Sequence, residues 1–183
     1  MNLPNKITIL RACLIPVFIA IYLLQPMPEI LNAWVTLLLF ITAAITDAID
    51  GYLARKMGLV TNFGKLMDPL ADKMLVCAAF IAFTYTGSLP AWATIIMISR
   101  EFYISGLRQL ALEQNIVMAA SSSAKLKTIF QIALVIYLIL PFPFTYLFFQ
   151  PVALVLTIVT SIISIYSAAE YTHKNITLFK SPN

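Results

Sequence analysis

Six long apolar stretches, separated by short polar or proline-rich connections, constrain the fold of this chain more than any other feature. A helix needs roughly 20 predominantly apolar residues to cross the hydrocarbon core of a bilayer. Each stretch approaches this length, and the Pro, Gly and polar residues at its ends are typical helix boundaries. The pattern predicts helices over about residues 7–24, 30–54, 66–86, 90–112, 122–140 and 151–171.

The composition excludes a soluble domain of ordinary type. Apolar residues make up 61% of the 183 residues and charged residues 11%, whereas a soluble domain is about half apolar and a quarter charged. Such a chain has too little polar surface to face water. We therefore expect an all-α integral membrane protein with six transmembrane helices, forming a single membrane domain over residues 1–183.

The basic residues indicate how the chain is oriented. If all six helices span the membrane, all 12 lysine and arginine residues fall on one side, and the opposite loops near residues 25–29, 86–90 and 141–150 contain none. Positively charged loops stay in the cytoplasm, so we expect both termini there and assign the net charge of +4 to topology, not to nucleic-acid binding. The sequence shows no transit peptide, which favours a bacterial inner membrane.

Several charged residues lie deeper in the expected helices than a loop position allows. Arg100 and Glu101 follow Pro90 by ten residues or so, which is roughly 15 Å along a helix axis and close to the bilayer centre. The third and fifth helices reach spanning length only if they include charged residues at their cytoplasmic ends. Ionisable groups at this depth are costly unless they face each other or water. We therefore expect a polar cavity, open to the cytoplasmic side and surrounded by helices two to five.

Four carboxylates lie next to the loop between the second and third helices. Asp47 and Asp50 are three positions apart in the sequence, and Asp68 and Asp72 are four positions apart, so each pair shares one face of a helix. Without cations, four converging carboxylates would repel one another in a medium of low dielectric constant. Hard divalent ions with oxygen ligands, Mg²⁺ or Mn²⁺, are the expected partners. The alternative is that the carboxylates form interfacial salt bridges with neighbouring basic residues, namely Arg55, Lys56, Lys65 and Lys73.

This region resembles the signature of the CDP-alcohol phosphatidyltransferases. All eight defining positions match in the string Asp47-x-x-Asp50-Gly51-x-x-Ala54-Arg55, eight residues, Gly64-x-x-x-Asp68-x-x-x-Asp72. The resemblance covers essentially the whole chain. It implies a six-helix membrane fold, a homodimer, and transfer of a phosphatidyl group from a CDP-linked lipid to a small alcohol.

The resemblance also implies roles for individual residues. Two metal ions would be held by Asp47, Asp50, Asp68 and Asp72, and Asp72 would also be the general base. The CDP group would be contacted by a further set of residues, namely Asn5, Thr8, Arg11, Gly51, Ala54, Arg55 and Gly64. Taken alone, Asn5 and Thr8 could equally be helix caps, and Arg11 could extend to the membrane interface.

Two later segments resemble elements of those family members whose acceptor is sn-glycerol 3-phosphate. One runs from Arg100 to Arg108, and the other contains Lys125 and Lys127 after Ala124, where those members have glycine. A phosphorylated acceptor requires a basic pocket, so these four basic residues are the candidates for binding its phosphate.

Helical geometry separates the four candidates further. Glu101 and Arg108 are seven residues apart and share a face, so an internal ion pair is the alternative for these two. Lys125 and Lys127 are roughly 200° apart around a helix, and we do not expect both to point into one site.

The expected function is therefore transfer of the phosphatidyl group of CDP-diacylglycerol to sn-glycerol 3-phosphate in anionic phospholipid synthesis. The expected partners are these substrates, membrane lipid and a second copy of the chain. Two alternatives stay open. One is a family member with another acceptor, such as phosphatidylglycerol in a cardiolipin synthase. The other is a divalent-cation transporter that uses the four carboxylates, although the outer halves of these helices carry almost no polar groups to continue a pathway.

Overall fold

The computed structural model describes the backbone of residues 3–57, 62–113, 121–140 and 146–176, and the side chains of residues 10–46, 73–112, 121–140 and 149–176. Within these residues the chain forms six α-helices and no strand, as predicted. The helices are α1 (Leu3–Leu24), α2 (Glu29–Met57), α3 (Asn62–Tyr85), α4 (Ala91–Glu113), α5 (Ser122–Ile139) and α6 (Tyr146–Lys174).

Three helix starts differ from the prediction by four or five residues, and the first of these is α1, which begins at Leu3 and not at residue 7. The second and third helices extend towards each other, so only residues 58–61 connect α2 to α3. Helix α6 begins at Tyr146, five residues before the expected start at Pro151. Proline is favoured in a first turn because it lacks an N–H, but here Pro151 lies inside the helix. Membrane helices tolerate such a proline where neighbouring groups compensate for the lost hydrogen bond.

Three helices are long and apolar enough to cross a membrane by length and composition. Within the described residues these spans are Glu29–Thr46, Ser122–Ile139 and Phe149–Lys174. The chain is an integral membrane protein of the all-α class. The polar cavity expected among helices two to five, and the spanning of all six helices, remain predictions.

Contacts within the chain group the residues into two compact units. The first contains Met1–Ser88 and Val135–Pro143, and the second contains Leu89–Leu134 and Phe144–Asn183. Helices α1, α2 and α3 pack on one another in the first unit, and α4 packs on α6 in the second. The expectation of a single domain over residues 1–183 stays a prediction.

An aromatic cluster holds the first unit together at the end away from the four carboxylates. Phe18 and Phe40 are almost fully buried, with ring centroids 6.0 Å apart. Tyr22 meets buried Phe83 edge to face at 5.1 Å. The Tyr22 hydroxyl is 3.0 Å from the Thr86 hydroxyl, just before Gly87 ends the helix region with a left-handed φ of 77°. These contacts fix α1 against α2 and α3.

Helix α6 carries a buried stripe of hydroxyl side chains in the second unit. Each member has another three or four residues away, and the members are Thr157, Thr160, Ser161, Ser164 and Ser167. The first four donate to the carbonyl oxygen four residues earlier, at 2.7 to 2.8 Å. Small hydroxyl residues allow close approach of membrane helices. The stripe thus accounts for tight packing on this face of α6 without leaving these hydroxyls unsatisfied.

Candidate functional site

The four carboxylates lie on two packed helices joined by a short connection. Asp47 and Asp50 are in the last third of α2, and Asp68 and Asp72 are in the first half of α3. Because residues 58–61 alone separate these helices, the two carboxylate-bearing segments adjoin along the chain. The side chains of all four lie outside the described residues. Among the side chains that are described, no group of three metal-binding residues occurs.

Most of the expected CDP contacts fall in the same part of the chain. The side chains at positions 5, 8, 51, 54, 55 and 64 lie outside the described residues, so the roles of Asn5, Thr8, Gly51, Ala54, Arg55 and Gly64 stay predictions. Arg11 is described, and it is fully buried on α1 in the first unit. A side chain that extends to the membrane interface would keep its charged end exposed. The burial of Arg11 therefore favours an inward role over the interfacial alternative.

A charged network joins α4, α6 and the part of α5 that belongs to the second unit. Glu101 of α4 forms an ion pair with Lys127 of α5, and a second one with neighbouring Arg100, whose Nη1 lies 3.5 Å from Glu101 Oε1. Nη2 of Arg100 donates a hydrogen bond of 2.7 Å to the hydroxyl of Ser167 on α6. The three charged side chains are 6% to 11% exposed. Charges this deeply buried are retained only when they are paired and hydrogen-bonded.

A second cluster lies nearer the C-terminal end of α4 and contains Arg108, Tyr171 and Ser121. Arg108 Nη2 donates to the Tyr171 hydroxyl oxygen at 3.1 Å, and its guanidinium carbon lies 5.8 Å from the centroid of the Tyr171 ring. The backbone N–H of Ser121 donates to the same oxygen at 3.2 Å. The Ser121 hydroxyl in turn accepts the N–H of Ala124 at 3.2 Å and so caps α5. One phenol therefore connects α4, α6 and the beginning of α5.

The first turn of α5 has another attachment to α6. The Ser123 hydroxyl donates to Glu170 Oε2, and Lys174 donates to Glu170 Oε1 at 2.5 Å. The start of α5 is thus held at two adjacent positions of α6.

The structure divides the four basic candidates into two classes. Arg100 and Lys127 are buried and ion-paired with Glu101, whereas Arg108 and Lys125 are exposed. The opposite environments of Lys125 and Lys127 agree with their angular separation. Glu101 pairs with Arg100 and Lys127, and the described contacts of Arg108 are to Tyr171, so the internal pair considered for Glu101 and Arg108 is not formed among these residues.

Sequence reasoning missed Ser167 and Tyr171. Both lie on α6, and Ser167 continues the spacing of the buried hydroxyl stripe. That repeat of small polar residues in an apolar helix was the available signal, because it marks the face that meets other helices.

These features define an integral membrane protein that keeps paired charges inside its helices and carries four acidic residues on a packed helix pair. The chain belongs to the CDP-alcohol phosphatidyltransferase family, whose family model matches residues 1–163. Enzymes of this family generally use divalent metal ions, and the chain is a membrane-bound phosphotransferase.

Relatives with assigned names cover much or all of the chain. A CDP-diacylglycerol–glycerol-3-phosphate 3-phosphatidyltransferase of Bacillus subtilis is 41% identical over 100% of this chain and 99% of its own length. A protein of the same name from Rickettsia bellii is 42% identical over 71% of this chain and 70% of its own length. A probable phosphatidylglycerophosphate synthase of Mycobacterium tuberculosis is 39% identical over 76% of this chain and 66% of its own length.

Proposed function

We propose that this chain transfers the phosphatidyl group of CDP-diacylglycerol to sn-glycerol 3-phosphate, which yields phosphatidylglycerophosphate and CMP. The structural observation that supports this acceptor is the cluster around Tyr171. It holds the exposed guanidinium of Arg108 beside Ser121, one helical turn before exposed Lys125. Accessible basic groups held in this way suit a phosphorylated acceptor. The names of the relatives point to the same pair of substrates.

The four aspartate carboxylates are suitable ligands for a divalent cation. Asp47, Asp50, Asp68 and Asp72 would hold Mg²⁺ or Mn²⁺, as two ions, because carboxylate oxygens are the ligands that these cations prefer. Such ions supply neutralisation of the pyrophosphate charge when bound. The placement of all four residues on two packed helices with a connection of residues 58–61 supports a shared site.

Side chains of the signature segment carry out the proton transfer and bind the phosphate and the nucleotide. Asp72 accepts the proton of the acceptor hydroxyl. The hydroxyl oxygen then attacks the phosphorus on the lipid side of the pyrophosphate, and the bond between that phosphorus and the CMP oxygen breaks. Arg55 pairs with phosphate, and Gly51, Ala54 and Gly64 allow the nucleotide to approach the backbone closely.

The remaining nucleotide contacts come from the first helix. Asn5, Thr8 and Arg11 follow one another at three-residue intervals along α1 and contact the nucleotide. The buried state of Arg11 supports this inward role.

The acceptor is selected by the basic residues of α4 and α5. Arg108 and Lys125 contact its phosphate directly, since they are the exposed members of the set. Arg100 and Lys127 are buried and paired with Glu101, and they add positive electrostatic potential to the acceptor site.

The enzyme acts as a homodimer in a bacterial inner membrane with both termini in the cytoplasm. The positions of the 12 basic residues support this orientation. Reporter fusions at each terminus test the orientation, and cross-linking in native membranes tests the dimer.

The deciding experiment measures CMP release from CDP-diacylglycerol by the purified protein with Mg²⁺. Glycerol 3-phosphate, glycerol, inositol, serine and phosphatidylglycerol are compared as acceptors. We expect turnover with glycerol 3-phosphate alone, and a loss of affinity for it in Arg108→Ala and Lys125→Ala. Gln109→Ala is the matched control, because Gln109 is an exposed polar residue next to Arg108 on α4.

Two results would overturn the proposal. Turnover with a different acceptor alone would keep the family chemistry and remove the assignment of the basic residues to a phosphate. If no acceptor supports CMP release, phosphatidyl transfer itself is refuted, and cation flux in proteoliposomes then tests the transport alternative.

A further inference from the structure

We propose that Tyr171 is a positioning residue for the acceptor. Its hydroxyl and ring hold Arg108 of α4 and the first turn of α5 in one fixed arrangement, so that the accessible cations of both helices meet the acceptor phosphate together. This inference rests on the proposed function, because it assigns Arg108 and Lys125 to that phosphate.

The hydroxyl oxygen of Tyr171 accepts two hydrogen bonds from different elements. The Arg108 guanidinium donates from α4 at 3.1 Å, and the Ser121 N–H donates from the residue that caps α5 at 3.2 Å. A phenolic oxygen can accept both. Since Lys125 donates its backbone N–H to the Ser121 carbonyl at 3.4 Å, the position of Lys125 follows from that of Ser121.

The ring of Tyr171 is itself fixed by packing. It is 2% exposed and belongs to a core cluster with Ile104 and Leu107 of α4, against which Ala124 of α5 packs. The methyl group of Ala124 therefore fills space beside this cluster. A buried ring with close neighbours on α4 and α5 cannot swing away from Arg108 without opening the core.

Arg108 remains available to a ligand although it is held. Its side chain is exposed, while the Tyr171 ring beneath it is buried. A guanidinium has five N–H donors, and the hydrogen bond to Tyr171 uses one of them. Fixing one edge lowers the entropy that the side chain loses when it binds phosphate.

The arrangement comes from a part of the chain beyond the residues that the family model matches. That match ends at residue 163, whereas Ser167, Glu170 and Tyr171 each contact one of the acceptor segments. The last two turns of α6 thus supply the support for cations carried by α4 and α5.

A second hydrogen bond between α4 and α6 separates positioning from packing. The Tyr103 hydroxyl lies 2.8 Å from the Thr172 hydroxyl and contacts none of the candidate cations. Removing that hydroxyl weakens the same helix pair without touching Arg108. Tyr166 offers a further control, since it is 63% exposed on the same helix as Tyr171.

The test compares Tyr171→Phe with Tyr103→Phe and Tyr166→Phe. Each variant loses one hydroxyl and keeps its ring. For Tyr171→Phe we expect the KM for glycerol 3-phosphate to rise about five- to tenfold, as for loss of one ordinary intramolecular hydrogen bond. The kcat and the KM for CDP-diacylglycerol should stay within about twofold, because the phosphatidyl donor does not use this hydrogen bond. Both control variants should retain both KM values.

A double-mutant cycle supplies an independent measurement. Arg108→Lys keeps the charge but loses the planar group that stacks on Tyr171. It should raise the KM for glycerol 3-phosphate, and adding Tyr171→Phe to it should change that KM by less than about twofold, since both substitutions remove the same interaction. Thermal unfolding of each variant in detergent shows whether it is folded. If Tyr171→Phe is not folded, the KM values of Arg108→Lys and Lys174→Arg for glycerol 3-phosphate are compared instead.

The inference is overturned if Tyr171→Phe leaves the KM for glycerol 3-phosphate unchanged, or changes both KM values equally. It is also overturned if Tyr103→Phe produces the same effect, because the role of Tyr171 would then be packing. These failures leave wild-type turnover with glycerol 3-phosphate intact. A wild-type enzyme that uses only another acceptor would instead refute the proposed function, and the inference with it.

Discussion

Glu101 should be the most stability-sensitive polar residue of the second unit. It is the carboxylate that the described residues place against both Arg100 and Lys127, and all three are buried. The substitution Glu101→Gln keeps the size of the side chain but leaves two neighbouring positive charges without this counter-ion. Removing one partner of a buried ion pair costs about 3–5 kcal/mol.

Replacing the lysine of this network should lower the free energy of unfolding by less than replacing the carboxylate. Lys127→Met leaves Arg100 and Glu101 as a balanced pair and places an apolar chain of similar length where the ammonium was. The large cost of breaking a buried ion pair comes from the charge that is left uncompensated, and this substitution leaves none among the three. The charge balance of the network therefore predicts an asymmetry, in which loss of the carboxylate is much more harmful than loss of the lysine.

Thermal unfolding in detergent micelles, followed by the loss of the monodisperse chromatographic peak, measures this asymmetry. For a chain of this size, the expected cost of Glu101→Gln corresponds to a fall in Tm of about 10 °C, and Lys127→Met should lower Tm by less than half as much. Glu170→Gln is the control, since the ionic partner of Glu170 is an exposed lysine and an amide oxygen can still accept the Ser123 hydroxyl. A Tm for Glu101→Gln within about 2 °C of wild type, or equal losses for both substitutions, would refute the reasoning.

Four further outcomes are expected. Asp72→Asn should lower kcat for CMP release by about 10²- to 10⁴-fold without lowering Tm, as for a lost general base. Chelation with EDTA should abolish activity, and Mg²⁺ or Mn²⁺ should restore it. Phe83→Ala should destabilise by about 3–5 kcal/mol in the same unfolding assay, because it removes a fully buried ring that meets Tyr22. Ala124→Gly should cost about 1 kcal/mol and raise the KM for glycerol 3-phosphate, because the methyl group packs against the Tyr171 cluster.

The order and type of the helices could be predicted because the apolar stretches are long and their ends carry strong signals. The beginning of α6 was wrong by five residues, because the segment before Pro151, which combines prolines with aromatic residues, was assigned to the connection between the fifth and sixth helices. A proline marks a helix boundary only where no neighbouring group compensates for the hydrogen bond that it removes. That compensation comes from tertiary contacts, which the local sequence does not specify.

The side-chain partners of the acceptor segments could be predicted only in part. Spacing within α4 suggested Arg108 as the partner of Glu101, whereas Lys127 of α5 and adjacent Arg100 are the partners found. Spacing along one helix specifies which residues share a face but not which neighbouring helix that face meets. Tyr171 was missed for the same reason, since an aromatic residue in an apolar helix has no local feature that distinguishes a support from a packing residue.

The hydroxyl stripe of α6 and the charges of α4 have different consequences for how the ribosome and translocon make this protein. The hydroxyls bond to their own helix, so α6 can enter lipid as an independent segment, in keeping with its apolar span Phe149–Lys174. Helix α4 is not among the three described helices that qualify alone, and a centrally placed arginine opposes insertion by about 2.5–3.5 kcal/mol. Two residues of later helices bind the charged pair of α4: Lys127 pairs with Glu101, and Ser167 accepts a hydrogen bond from Arg100. They are synthesised 27 and 67 residues after Arg100. If α4 spans the membrane, we therefore expect its stable integration to depend on the emergence of α5 and α6, which would make biogenesis of this unit cooperative.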